Sequence, residues 1–455
     1  MSNIAFERCF QGEKGRDEFQ REPVATKVIS LLVSDAHVSP MVIDGDWGTG
    51  KTEFCHKLIN KFKAEHDRYR IVYVDAFKAD HADNPLMTIL AEVLKLLPEG
   101  EQRKGLIQKA LPVIRYGLKT ALKVGVGHVL RKNADDIADE LEDVFEETTE
   151  KIIDASVEAL LKEHEKAEES LNALQKILTR IAEESPIVIF IDELDRCRPD
   201  FSLEMIEVIK HTFDVVGVKF VLITNTKQLT AAINHRYGSE VESQRYLDKF
   251  LRFRFSLPNT LTQSRHDRTL ATATHFYCLV NQSSSLQNTN LARSDYRVKK
   301  FIELLIDING LSLREVETFV RYLEIYQALT SNNGLAPNLI TGFQFLRVFG
   351  VFLFCFEPKI TDSIFRNTVT AKEILNLLNV KDLPKLIPNE HKYPEDHEVI
   401  AVMLARESKA VADRFVNLNE DWQRLFVDFF DRRHHGHGKY INIVIETFNI
   451  LSFRF

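Results

Sequence analysis

The chain has 455 residues, 44% of them hydrophobic and 27% charged, and a formal net charge of -7 at pH 7. That length makes room for two or three domains, the composition is that of a globular protein, and the net charge leaves no overall footprint for nucleic acid. The five cysteines stand far apart with no CxxC pair, no apolar run reaches membrane-spanning length and the N-terminus is too polar for a signal peptide, so the expectation is a cytoplasmic protein with unpaired thiols.

Residues 1 to 20 are polar. Arg21 to Ser34 carries Val24, Val28, Leu31 and Leu32 at helical spacing, which predicts an N-terminal helix. Met41-Val42-Ile43-Asp44 then reads as a strand. It runs into Gly45-Asp46-Trp47-Gly48-Thr49-Gly50-Lys51-Thr52, and Glu53 to Ala64 reads as a helix with Phe54, Leu58, Ile59 and Phe62 on one face. Gly, four residues, then Gly-Lys-Thr between a strand and a helix is the P-loop pattern, which holds a triphosphate. Its glycines let backbone N–H groups approach the phosphates, and the helix N-terminus adds positive potential. Lys51 is expected to reach the β- and γ-phosphates, and Thr52 to bind Mg²⁺ through its hydroxyl. The bland alternative is a Gly-rich turn, which the full pattern in this context disfavours.

Arg70 to Asp75 reads as a second core strand, followed by Ala76-Phe77-Lys78 and an apolar helix ending near Leu97. Residues 98 to 184 then interrupt the alternation of strand and helix. Glu101 to Lys132 holds eight Lys and Arg against one acid, and residues 133 to 150 hold nine acids and no Lys or Arg. The basic half could lie on an anionic membrane surface or a nucleic acid. It could equally pack against the acidic half or face water, and charged faces are ordinarily solvated.

Ile187 to Ile191 is a buried strand that delivers Asp192-Glu193 at its carboxyl end, as a Walker B strand does. Asp192 is the second expected Mg²⁺ ligand, and Glu193 the base that orients and deprotonates the attacking water. Phe201 to Val216 reads as a helix and Val218 to Ile223 as the next strand. That strand ends in Thr224-Asn225-Thr226, where Asn225 is placed to touch the γ-phosphate or the water. A short helix, Leu229 to Tyr237, follows. Leu251, Phe253 and Phe255 then alternate with Arg252 and Arg254, which suits a strand with one buried face. Arg245, Lys249 or Arg252 could serve a neighbour's nucleotide.

Beyond Pro258 the pattern is helical: Tyr296 to Ile308, Ser312 to Leu329, a Phe-rich Leu339 to Phe356, then Trp422 to Phe430 and Tyr440 to Phe455. Asp382 to Glu398 reads as a Pro-rich connection. His434, His435 and His437 sit in a Gly loop with no Cys nearby, which reads as an exposed turn rather than a zinc site. The domains expected are residues 1–97 and 185–258 as two halves of one nucleotide-binding core, 98–184 as a helical insertion, and 259–455 as a helical lid and C-terminal region.

These motifs resemble the KAP family of P-loop NTPases, in the additional-strand class with AAA+ and STAND proteins. Four stretches carry the resemblance: Trp47 inside the P-loop, Val74-Asp75-Ala76-Phe77-Lys78 (with Phe77 where the family usually has Trp), Ile191 to Cys197, and Tyr246 to Phe250 ahead of Ser256-Leu257-Pro258. The resemblance covers roughly residues 20 to 330 and implies a fold: α/β, a parallel central sheet flanked by helices, a helical insertion between Walker A and Walker B, and a mostly helical C-terminal region. It makes Asn225 a sensor residue and Arg314 a sensor in the helical lid. It implies ATP and Mg²⁺ as ligands, ATP being the default because no Asn-Lys-x-Asp guanine signature is present. Homo-oligomers are the implied partners, and prokaryotic members are associated with antiphage defence; because the sequence shows no nuclease motif or second catalytic domain, a separate effector protein is expected as well. The family's insertion often carries transmembrane helices, but the charges here argue against spanning.

Three functions compete on this reading. The first is an ATP-hydrolysing switch or assembly platform. The second is a nucleic-acid-stimulated motor, disfavoured because a downstream Arg-rich helicase motif is missing. The third is a non-hydrolysing nucleotide-dependent scaffold, which has no chemical need for Glu193.

Overall fold

The computed structural model describes residues 9–12, 15–17, 19–82, 84–96, 157–258, 260–262, 268–292, 296–386, 393–409, 418–430 and 439–454, together with Lys104 and Gln108. The basic and acidic stretches of the insertion and the three clustered histidines therefore lie outside the described residues, those two positions aside. The chain divides into two compact units, Met1–Pro258 and Asn259–Phe455.

The first unit is built on a five-stranded sheet in the order β2-β3-β4-β1-β5, with every neighbouring pair parallel. Its strands are β1 (Met41–Asp44), β2 (Arg70–Asp75), β3 (Ile187–Asp192), β4 (Val218–Thr224) and β5 (Phe253–Ser256). β4 lies between the P-loop strand β1 and the Walker B strand β3, as the additional-strand class requires. Parallel sheets are covered on both faces, so their strands read as continuous apolar runs. In β3 all six residues are buried. Ile187, Ile189 and Ile191 pack with Val72, Val74, Phe220 and Leu222 beneath the helices Pro85–Leu94, Val157–Glu184 and Pro199–Thr212. Val188 and Phe190 point the other way, with Met41, Ile43, Val221 and Ile223, towards helices α1 (Glu22–Val33) and α2 (Lys51–Glu65).

Strands of one direction deliver their carboxyl ends to one edge. The registers pair Asp44 with Thr224 and Asp75 with Asp192, so the polar residues that end these strands collect along that edge, where open α/β sheets bind ligands. β5 departs from the sequence expectation. It is an edge strand, and Phe253 is 37% exposed rather than facing a core.

Among its described residues, the second unit is helical apart from one short antiparallel strand pair, β6 (Thr260–Thr262) and β7 (Arg268–Leu270). Its core gathers around the helix Thr341–Phe356, where Phe345, Phe349 and Phe352 are fully buried. The expected connection, Asp382 to Glu398, overlaps only at its last three residues with a helix at Asp396–Glu407, a segment for which the sequence suggested no element, and Val399 to Ala405 are all buried. Five cysteines are free thiols. Among the described residues, no helix is long and apolar enough to cross a membrane.

Candidate functional site

The P-loop joins β1 to α2 through two left-handed residues, Gly48 at φ 77° and Gly50 at φ 79°. Residues with a Cβ rarely adopt that conformation, which is the local reason for glycine at both positions. The loop is tied internally, because the Thr49 hydroxyl donates to the Asp46 carbonyl at 2.8 Å. Lys51 opens α2 and is nearly buried. Its ammonium donates to the carbonyls of Gly45 (2.7 Å) and Asp46 (3.1 Å). Burial lowers its proton affinity, and the carboxylates of Asp195, Asp192 and Asp44 oppose that change.

Thr52 and Asp192 stand far apart in sequence but meet at the sheet edge, where the Thr52 hydroxyl lies close enough to favour the charged form of the Asp192 carboxylate. Asp192 is 1% exposed. It also accepts from the Tyr73 hydroxyl on β2 at 3.2 Å and from the Glu193 amide at 2.8 Å. Burial raises its pKa to about 6, against the opposing pull of Thr52, the Glu193 amide and Tyr73. A desolvated carboxylate beside a hydroxyl is a hard oxygen pair. It fits Mg²⁺, which takes one or two protein oxygens and completes its shell with water and substrate phosphates. Among the described residues no cluster of three or more His, Cys, Asp or Glu forms an all-protein cage.

Glu193 follows at φ 60° in the left-handed region, an uncommon conformation for a residue with a Cβ. Its carboxylate pairs with Arg196 at 3.1 Å. Asp195 on the same turn accepts from the Trp47 indole at 2.5 Å and from the Thr224 hydroxyl at 3.2 Å. Asn225, buried just past β4, caps the next helix by accepting from the Lys227 amide at 3.0 Å. Its side-chain amide donates to Asp46 at 3.4 Å, and the Lys227 ammonium pairs with the same carboxylate at 3.2 Å.

The first unit thus brings together Gly45, Asp46, Trp47, Gly48, Thr49, Gly50, Lys51, Thr52, Asp192, Glu193 and Asn225. Arg314 belongs to the second unit, exposed in the first turn of the helix Leu313–Leu329. Of the three cations considered for a neighbour's site, all are exposed, and Arg245 pairs with Glu242 at 2.6 Å.

Sequence reasoning missed four contributors. Tyr73 was read only as a strand residue, although a hydroxyl at the tip of an apolar strand is a signal. Asp195 and Lys227 reach the P-loop only because β4 sits beside β1. Buried Arg21 donates to the carbonyls of Thr49 (2.9 Å) and Pro258 (3.1 Å), fastening the loop's outer side. Nothing local to Arg21 announces that bond.

A family model, the KAP family P-loop domain, matches residues 21–330. No curated protein matches. Among solved structures, the chain is similar to the Aeropyrum pernix ORC2 protein in its ADPNP–ADP complexes, at 13% identity and a TM-score of 0.36, over 99% of this chain and 98% of that one. It is similar also to Cdc6p from Pyrobaculum aerophilum, at 10% identity and a TM-score of 0.38, over 98% of this chain and 97% of that one.

Proposed function

The chain belongs to the KAP family of P-loop NTPases, and on that premise we propose that it binds ATP with Mg²⁺ at the P-loop, hydrolyses it, and uses the two nucleotide states as a switch that governs assembly. The observation that carries this reading is the meeting of Thr52 and Asp192 beside Lys51, with Glu193 on the next residue.

In this reading Lys51 leaves the Gly45 and Asp46 carbonyls for the β- and γ-phosphates, whose charge stabilises the ammonium that burial disfavours. Thr52 and Asp192 would hold the cation, which when bound would neutralise charge building on the phosphates. Glu193 swings from Arg196 to take a proton from the attacking water, and Asn225 orients that water or the γ-phosphate through its side-chain amide. The family resemblance assigns Arg314 a role as a further sensor.

Assembly into homo-oligomers, with a cation from a neighbour completing the site, and a separate effector protein extend the proposal. Assembly rests on family membership, as does a role in antiphage defence. An intact Glu193 favours turnover over a purely structural use of the nucleotide. Calorimetric titration with ATP, in the presence of Mg²⁺ and of a chelator, tests the binding step. The reading expects tight binding with Mg²⁺ and its loss in Lys51→Ala. Equal binding by that variant contradicts the reading.

A further inference from the structure

Asp195 is outside the residues that the P-loop and Walker B patterns assign, yet it joins three segments of the site. Its Oδ2 accepts from Trp47 Nε1 at 2.5 Å and its Oδ1 from the Thr224 hydroxyl at 3.2 Å. Trp47 lies in the P-loop, Thr224 ends β4, and Asp195 shares one short turn with Glu193. We propose that Asp195 is a positioning residue of the triphosphate site, fixing through Trp47 the P-loop backbone that cradles the phosphates. The inference deepens the nucleotide-binding reading and rests on it.

The chemistry of the contact supports this role. An indole N–H can only donate, and a carboxylate is the strongest acceptor a side chain offers. The Trp47 side chain is 49% exposed, so burial does little to hold it in one rotamer, and the bond to Asp195 does. The neighbouring loop residue is held in the same way, since Asp46 is bonded by Asn225 and Lys227. Two consecutive P-loop side chains are therefore gripped from the ends of β3 and β4.

The test uses fluorescence, because Trp47 and Trp422 are the only two tryptophans. In a Trp422→Phe background of the full chain, Trp47 reports alone. Asp195→Ala removes the acceptor, and Trp47→Phe, tested without the reporter, removes the donor at a half-exposed position. The proposal expects Asp195→Ala to lower the Trp47 anisotropy in nucleotide-free protein with the thermal midpoint little changed. It expects the ATP KM to rise about tenfold with kcat held within about threefold, since a loop that binds ground and transition states alike acts on KM. Trp47→Phe should raise KM similarly, and the double variant should be no worse than the larger single, because residues acting through one contact are not additive. Unchanged anisotropy and KM in Asp195→Ala, or effects that multiply in the double variant, would overturn the positioning role. A wild-type chain that binds no ATP would overturn the nucleotide-site reading and this role with it. Wild-type binding with an indifferent Asp195→Ala would overturn the role alone.

Discussion

The Glu193 carboxylate lies 3.1 Å from the Arg196 guanidinium, three residues ahead on the same turn. The glutamate proposed as the base is thereby held by a cation, and in that role it has to leave the cation to meet the water. Partly exposed pairs of this kind are worth up to about 1 kcal/mol. Arg196→Ala should therefore raise the basal turnover of the isolated chain about two- to fivefold, the rate equivalent of that energy. Steady-state phosphate release under saturating ATP reads this directly. A fall in turnover would mean that Arg196 assists the reaction rather than restraining Glu193.

Asp192 carries a cost in the metal-free protein. Burial lifts its pKa from 3.8 to about 6. Below about pH 4 the folded and unfolded chains both hold the proton. Between about pH 4 and 6 the unfolded chain releases it first, so stability falls as pH rises through that window, and above it the penalty is constant. The difference is on the order of 3 kcal/mol at most. Asp192→Asn should stabilise the chelator-treated protein at pH 7 and flatten this pH dependence, while losing Mg²⁺-dependent ATP binding. Denaturant titrations at pH 4 and pH 7 check the sign. A variant that is less stable at pH 7 would show that the hydrogen bonds from Tyr73 and the Glu193 amide to Asp192 outweigh its desolvation.

Gly45 is a site where side-chain volume, rather than backbone angle, is limiting. A Cβ there would meet the Thr49 hydroxyl at 2.8 Å, and that hydroxyl ties the loop through the Asp46 carbonyl. Gly45→Ala should weaken ATP binding at least about tenfold, in keeping with the steep cost of overpacking a close contact. Adding Thr49→Ala removes the clashing atom and should recover part of the loss. No recovery would place the damage elsewhere in the loop.

Much of this was legible in the sequence, for local reasons. Strands buried on both faces read as unbroken apolar runs, so β1 to β4 were expected where they occur. The P-loop and Walker B residues announce themselves by spacing. What was not legible depends on strand order. Asp195 meets Trp47, and Lys227 meets Asp46, only once β4 has inserted between β1 and β3. The alternation around Phe253 and Arg254 suggested a half-buried strand, but an alternating pattern does not say that its strand will be a sheet edge. The helix Asp396–Glu407 was missed because Val399 to Ala405 is buried on every side, and a fully buried helix loses the polar face that marks helical periodicity.

Gly217 tests the scaffold apart from the site. It turns the chain into β4 at φ 83°, and a Cβ there would lie 2.7 Å from the Ala182 Cβ. Gly217→Ala combines a left-handed backbone with a steric clash, at a cost of roughly 1–3 kcal/mol. The unfolding midpoint of the first unit should fall by several degrees, with ATP affinity unchanged below that midpoint. An unaltered midpoint would show that the loop relaxes around the methyl group.

The central claim is that Lys51, Thr52, Asp192 and Glu193 form a working ATPase that matures by assembly. The most direct measurement is phosphate release from ATP and Mg²⁺ across protein concentration, for wild type, Lys51→Ala and Glu193→Gln. The account predicts specific turnover that rises with concentration and is lost in both variants, with Glu193→Gln still binding ATP. Turnover that survives in Lys51→Ala, or its absence at every concentration although wild type binds ATP, would contradict it.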